Sequence, residues 1–322
     1  MSESKTKARR LRELLRDARP VVSPGVYDGY SARLVQAMGF KTAATTGAGL
    51  TNSLLVQPDI GIFGLRDNVD ACRHLARSVD IPLTADADTG YGNAVTVYHV
   101  VQYFEEAGIV GVNIEDQVMP KRCGHMRGKE LISVGEMCKK IEAGQRARRD
   151  PDFIINARTD AIAVEDIGGT VMRVQAYAKA GADMIYVDAI RGEDDIARAV
   201  EAAGDTPVNI NMGFAIRSRP TSPLISLKRL KELGVARVSA PRMLTAAAIS
   251  GMRKALEVMQ QCMLTGELAD RPDLLASMED ITGLFDYRKI EALENELTAD
   301  EDLERKYKGN ERSYVVRAEA GR

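Results

Sequence analysis

The pentapeptide Lys121-Arg122-Cys123-Gly124-His125 sets a thiol between two cations and an imidazole. It lies one short loop beyond Val110-Gly111-Val112-Asn113-Ile114-Glu115-Asp116, a run that reads as a buried strand ending in acid. Cationic neighbours favour a thiolate, so Cys123 is suited to give and take a proton near neutral pH beside a metal or anion site. His125 would tune the thiol or close the loop.

Other groups of this kind recur along the chain. In Asp86-Ala87-Asp88-Thr89-Gly90-Tyr91-Gly92, two carboxylates follow an apolar run and precede a glycine turn. Such a pair suits a hard cation such as Mg2+, which takes one or two carboxylates plus waters and a substrate oxygen. The plainer alternative is that Asp88 caps the next helix. Arg158-Thr159-Asp160 supplies a planar donor that fits a carboxylate or phosphate, or a structural ion pair. Asp188 ends a further apolar run. Thr45-Thr46-Gly47-Ala48-Gly49 offers amides and hydroxyls to a carboxylate but has neither GxGxxG nor a Walker lysine, and Asp59 stands a little beyond it. Unpaired charges repeated at such positions are costly to hold without a ligand.

These residues need a scaffold that brings distant segments together. Strands are expected at Pro20–Val26, Lys41–Thr46, Ile81–Asp86, Val110–Glu115, Phe153–Arg158, Met184–Asp188, Pro207–Asn211 and Arg237–Ala240. Amphipathic stretches such as Ser31–Met38, Asp67–Ser78, Ala94–Ala107, Val134–Arg148 and Thr170–Ala180 separate most of them. Gly39, Gly108, Gly181 and Gly234 follow helices, where glycine accepts the left-handed backbone that ends a helix. This βα rhythm predicts a parallel sheet. Eight strands fit a closed (β/α)8 barrel, with a doubly wound sheet as the alternative. The cysteine loop then follows the fourth strand, at the end where barrel active sites lie.

The barrel is expected over residues 1–262 and a helical extension over 263–322. Ile290–Leu297 gives that extension an apolar face to lay on another subunit or on its own barrel. The charged run Thr298–Glu311 follows it.

With 322 residues and 45% hydrophobic content, a sizeable core is available. Basic and acidic residues number 44 and 46, a net charge of -2, which favours neither nucleic acid nor an anionic membrane as partner. No apolar run approaches the ~20 residues of a membrane helix. The four cysteines form no CxxC pair. A zinc site or disulfide framework is therefore not expected, and a cytoplasmic setting is. Cys72, Cys138 and Cys262 read as small core residues within helices, and His74 and His99 as plain helix residues.

Taken together, Lys121–His125, Asp86–Gly92, Ile114-Glu115-Asp116-Gln117 and Ala157–Asp160 resemble the isocitrate lyase/phosphoenolpyruvate mutase superfamily. The likeness is greatest to its short members: 2-methylisocitrate lyase, 2,3-dimethylmalate lyase, oxaloacetate hydrolase and the carboxyphosphonoenolpyruvate phosphonomutases. The resemblance implies a barrel with a mobile cysteine loop, Mg2+ or Mn2+, and a homotetramer (a dimer of dimers) whose dimers swap a C-terminal helix. It implies that Asp86, Asp88 and Glu115 lie around the metal, and that Thr46, Gly47 and Ala48 hold an α-keto acid carboxylate. Arg158 would bind an oxygen of that fragment. Cys123 would be the acid, supported by Gly124 and His125, with Asp59, Asp188 and Asn211 on the substrate. The implied reaction is cleavage of a C–C bond in a substituted malate or methylisocitrate-like acid. A carboxyphosphonoenolpyruvate-type phosphonomutase and an oxaloacetate hydrolase share the loop.

The chain departs from the lyase pattern at Asn113, at Asp188 in place of the usual glutamate, at Asn211–Pro220 and at Ser239-Ala240-Pro241-Arg242. These departures favour a substrate other than methylisocitrate, with Arg217, Arg219 or Arg242 binding a carboxylate.

Overall fold

A computed structural model of the chain describes residues 5–17, 19–218 and 221–308. Eight strands follow one another in sequence: β1 Val21–Val26, β2 Ala43–Thr45, β3 Leu83–Asp86, β4 Gly111–Glu115, β5 Ile154–Thr159, β6 Met184–Val187, β7 Val208–Asn211 and β8 Arg237–Ala240. All neighbours pair in parallel. β1 closes on β8 with Val21 opposite Arg237 and Pro24 opposite Ala240, giving a closed barrel. The expected closed barrel is the one found, and the doubly wound sheet is not. The first residues of several expected strands drop out of the ladder. Pro20, Pro82 and Pro207 sit there, and proline has no N–H to give to a ladder.

Helices cover the outside. Val97, Val100, Val101 and Phe104 of the helix Ala94–Glu106 pack with Val112, Met137, Ile141 and Ile155 in one core cluster. Gly39 (φ +82°) and Gly181 (φ +94°) end helices in the left-handed region, where any side chain would be strained.

The mixed-charge N-terminal stretch is the helix Lys7–Asp17. Its Ala8, Leu11 and Leu15 pack on Val21, Val110, Ile154 and Met184, which lie at the first ends of four strands. Arg12 pins it there through Asp183 at 2.7 Å and the Asp152 carbonyl at 2.9 Å. That end of the barrel is sealed by apolar contact.

Inward positions alternate along each strand, and here many are polar. Asn156 donates to Asn113 at 2.6 Å. Arg237 lies wholly buried between the hydroxyls of Ser23 and Thr84, each at 2.7 Å, and burial lowers its guanidinium to about 10.

Asp116 points the other way. Outside the barrel it accepts from Tyr177 at 2.7 Å, Thr159 at 2.7 Å and Arg173 at 3.2 Å. It ties β4 to β5 and to the helix Asp166–Lys179. Breaking a buried pair of this kind costs about 3–5 kcal/mol, so Asp116 acts in the fold and Glu115 faces the interior.

The chain divides into two compact units, Met1–Ala247 and Ala248–Arg322. The division falls within the helix Met243–Thr265, ahead of residue 262, where a boundary was expected. Helices Met278–Leu284, Tyr287–Leu297 and Asp300–Tyr307 follow in the second unit. Residues 309–311 of the charged run lie outside the described residues. No helix among the described residues is long and apolar enough to cross a membrane. Of the three cysteines read as core residues, Cys72 is fully buried, while Cys138 and Cys262 are only half-buried. A helix interior has two faces, and position alone does not say which one a small residue occupies.

Candidate active site

A cavity of about 60 Å³ opens at the carboxyl ends of the strands. Thr46, Ala48, Asp59, Asp86, Cys123, Gly124, His125, Arg158, Asp188 and Asn211 all line it. Gly47, Asp88 and Glu115 stand beside or behind this wall. The structure thus brings these candidate residues to one place. The space suits a short acid and is far below the ~300 Å³ at which sites for larger ligands begin.

Thr46 caps the short turn Gly47–Leu50 by accepting from Gly49 at 3.3 Å. Gly47 donates its N–H to Asp86 at 3.3 Å, and a Cβ on Gly47 would come within 2.7 Å of the Asp86 carboxylate. A larger residue at this position would press on the Asp86 side chain. Asp88 does not cap the following helix; Asn93 does, accepting from Val95 at 3.0 Å. Asp88 instead holds the Lys121 ammonium at 2.8 Å, with Asp59 on the same ammonium at 2.5 Å.

Arg158 is the hub of the opposite side. It reaches Asp160 at 2.9 Å, Asp188 at 3.0 Å and Glu115 at 3.1 Å. Its guanidinium lies over the Tyr186 ring at 5.2 Å from the centroid, within cation–π range. Asp188 is fixed further by the Tyr186 hydroxyl at 2.9 Å and the Asn211 amide at 2.8 Å. Ser239 in turn donates to Asn211 at 2.6 Å.

The cysteine loop is fastened at three points. The Gln117 side chain brackets the Arg122 backbone with bonds of 2.9 Å to its N–H and 2.9 Å to its carbonyl. Lys121 anchors to Asp59 and Asp88. Buried Lys129 donates to the Gly124 carbonyl at 2.5 Å and to Asp160 at 2.8 Å. Gly124 is pressed so closely on Asp188 that an added Cβ would fall 1.5 Å from its carboxylate oxygen. Cys123 then faces the cavity, its sulfur accepting from Arg242 at 3.1 Å. Partial desolvation, only partly opposed by Asp188, holds the His125 imidazole below its usual range.

The acids crowd one another. Burial, reinforced by Asp86 and Asp59 and opposed by Lys121, pushes Asp88 up to about 6. Burial also raises Glu115 well above the usual carboxylate range, although Arg158 opposes it. Glu115 has an ion pair to Arg158, yet neither of its oxygens has a well-aligned hydrogen bond. Buried acids left in excess of cations fit a site for a divalent ion. Among the described residues no three His, Cys, Asp or Glu side chains are arranged to ligate one ion together. The carboxylate oxygens of Asp86, Asp88 and Glu115 are the hard donors that Mg2+ takes, one or two at a time, together with waters.

Tyr186 and Lys129 belong to this constellation and were not singled out from the sequence, while Ser239 was named there only as part of a departing segment. Tyr186 was recoverable, since it stands two residues before Asp188 on one strand and so shares its face. Of the three arginines considered for carboxylate binding, Arg242 lines the cavity. Arg217 is exposed and is not part of that wall. Arg219 lies outside the described residues.

Residues 11–260 match the family model described as phosphoenolpyruvate phosphomutase. The 2,3-dimethylmalate lyase of Eubacterium barkeri is 35% identical over 88% of this chain and 96% of its own length. The 2-methylisocitrate lyase of Aeropyrum pernix is 37% identical over 88% of this chain and 89% of its own length. A crystal structure of 2,3-dimethylmalate lyase, a PEP mutase/isocitrate lyase superfamily member, superposes with a TM-score of 0.82 at 28% identity, covering 95% of this chain and 98% of the other. Phosphonopyruvate hydrolase in complex with oxalate and Mg2+ superposes at 0.79 with 30% identity, over 91% and 99% of the two chains. Matched along its barrel in sequence and in fold, the chain belongs to the phosphoenolpyruvate phosphomutase family of enzymes, within the PEP mutase/isocitrate lyase superfamily.

Proposed function

We propose that this enzyme is a Mg2+-dependent lyase that cleaves a C–C bond in a 2-hydroxy dicarboxylate of the substituted-malate class, with Cys123 as the acid. One observation carries the reading. The loop seats Cys123 in the same small cavity as the Thr46–Ala48 turn, Arg158 and the acid cluster. Asp86, Asp88 and Glu115 would hold the metal, some through water. When bound, Mg2+ supplies Lewis-acid stabilisation of oxygen charge.

The chain's own groups account for the rest. The amides of Gly47 and Ala48 and the hydroxyl of Thr46 receive the carboxylate of the α-keto acid half. The substrate hydroxyl passes its proton to a carboxylate of the cavity wall, where Asp59, Asp86 and Asp188 stand, and the electron pair of its oxygen forms the carbonyl as the neighbouring C–C bond breaks. Arg158, held rigidly by its carboxylates, stabilises the developing oxygen charge without having to reorganise. The released electron pair passes to the departing carbon, which takes the thiol proton of Cys123. Lys129 and Gln117 keep water out by holding the loop down.

The relatives named above act on different acids, so a product panel tests the reading. Dimethylmalate, methylisocitrate, isocitrate, oxaloacetate and phosphonopyruvate are supplied with Mg2+, and pyruvate, glyoxylate, oxalate and phosphoenolpyruvate are followed. An α-keto acid from a substituted malate supports the lyase. Oxalate from oxaloacetate, or turnover of phosphonopyruvate alone, would assign the site to the hydrolase or phosphonomutase reading.

Gly124→Ala is expected to lower kcat by at least about 100-fold, because positioning errors of about 1 Å can cost that much. The fold should survive, as Gly124 lies in a loop. Circular dichroism and steady-state kinetics on the same sample check this; wild-type kcat in the variant would show that the loop does not seat as described.

Assembly as a homotetramer, a dimer of dimers, is proposed for the same enzyme, in the cytoplasm. Supporting it, Met252, Leu256, Met259 and Met263 of the helix Met243–Thr265 are exposed apolar side chains. Exposed apolar surface on this scale marks an interaction face. Sedimentation equilibrium should give four times the chain mass; a monomer at micromolar concentration would refute it.

A further inference from the structure

The cations around the cavity differ in one respect. Lys121 is neutralised by Asp59 and Asp88, Lys129 by Asp160, and Arg158 by Glu115, Asp160 and Asp188. Arg242, half-buried on the turn after β8, has no carboxylate within 4 Å among the described residues. Its Nη2 donates instead to Cys123 Sγ at 3.1 Å, and sulfur is a weak acceptor. A guanidinium that has lost part of its water without gaining a counter-ion is a ready seat for an anion, and its planar fork matches a carboxylate.

We propose that Arg242 recognises the second carboxylate of the substrate. The Cys123 sulfur occupies the position that one carboxylate oxygen would take. The arriving carboxylate displaces it, leaving the thiol free to face carbon. This deepens the lyase reading and rests on it for the identity of the reacting carbon. Arg242 touches the sulfur that delivers the proton, so a carboxylate bound there belongs to the carbon that receives that proton. The substituted malates of the lyase reading carry such a carboxylate, on the carbon next to the broken bond. On bond cleavage that carboxylate takes up the released electron pair as an enolate, directly beside the guanidinium.

The test compares the wild-type enzyme with Arg242→Gln and Arg242→Lys in the presence of Mg2+. Calorimetry uses succinate, its monoamide and oxalate as probes. Succinate affinity should fall about 30-fold in Arg242→Gln, as expected for loss of one partner of a charge-assisted pair. The wild-type preference for succinate over the monoamide should vanish with it, while oxalate binding stays within about twofold. Arg242→Lys, which keeps the charge without the fork, should fall between. Equal succinate affinity in all three proteins, or a parallel loss of oxalate, would overturn the assignment. A wild-type enzyme that cleaves no 2-hydroxy acid, yet binds succinate through Arg242, would remove the lyase reading and leave the recognition role standing. Full cleavage of a substituted malate by Arg242→Gln would do the reverse.

Discussion

Cys123→Ser is expected to lower turnover of a substituted malate by about a thousandfold, within the range that a positioned proton donor contributes. A serine hydroxyl is a far weaker acid than a thiol but occupies nearly the same space. The anchors that seat the loop are the side chains of Gln117, Lys121 and Lys129, which this change does not touch. Affinity for oxalate, as a probe of the α-keto acid seat, should therefore stay within about twofold of wild type. That split separates the acid role from a merely structural one, which would weaken binding and turnover together. A kcat within tenfold of wild type would sink the assignment of Cys123.

Removing the metal should have an effect at least as large. Activity in excess EDTA is expected to fall to background and to return with Mg2+ or Mn2+. The structural ground is the pair Asp88 and Glu115, both buried and both held above the usual carboxylate range by desolvation and by neighbouring acids. A cation relieves that repulsion in the folded state only, so Mg2+ should also stabilise the fold by mass action. At a hundredfold excess over Kd the gain is about 2.7 kcal/mol. For a chain of this length the unfolding midpoint should therefore rise by roughly 4 °C. Asp88→Asn should lose most of this rise. A metal-independent rate, or a midpoint that ignores Mg2+, would refute the site.

The barrel was legible because buried parallel strands are written as short apolar runs, and the glycines after helices punctuate them. The acids at strand ends were legible for the same reason, since a charge directly after such a run has nowhere to go but the rim. What escaped was anything fixed by long-range contact. Glu115 and Asp116 are neighbours in sequence, yet the alternation of a strand sends one inward and the other to Arg173 and Tyr177. Lys129 looks like any loop lysine until the fold lays it on Asp160. Arg237 sits in a strand recognised from its apolar neighbours, and no local pattern announces that its guanidinium lies inside the barrel between two hydroxyls. Choosing Arg242 over Arg217 likewise needed the cavity wall, because spacing along the chain treats them alike.

The helix Lys7–Asp17 stoppers the far end of the barrel, which sets the traffic through the enzyme. Substrate and products then pass at the other end, where the cavity lies under the cysteine loop. Thr46 and Ala48 lie deep and almost wholly covered, while His125 at the doorway is exposed. On the proposed reading, the fragment protonated by Cys123 sits nearer the exit and blocks the α-keto acid behind it. Departure then has a fixed order, with the α-keto acid last. In product inhibition it should compete with the substrate, whereas the other fragment should not.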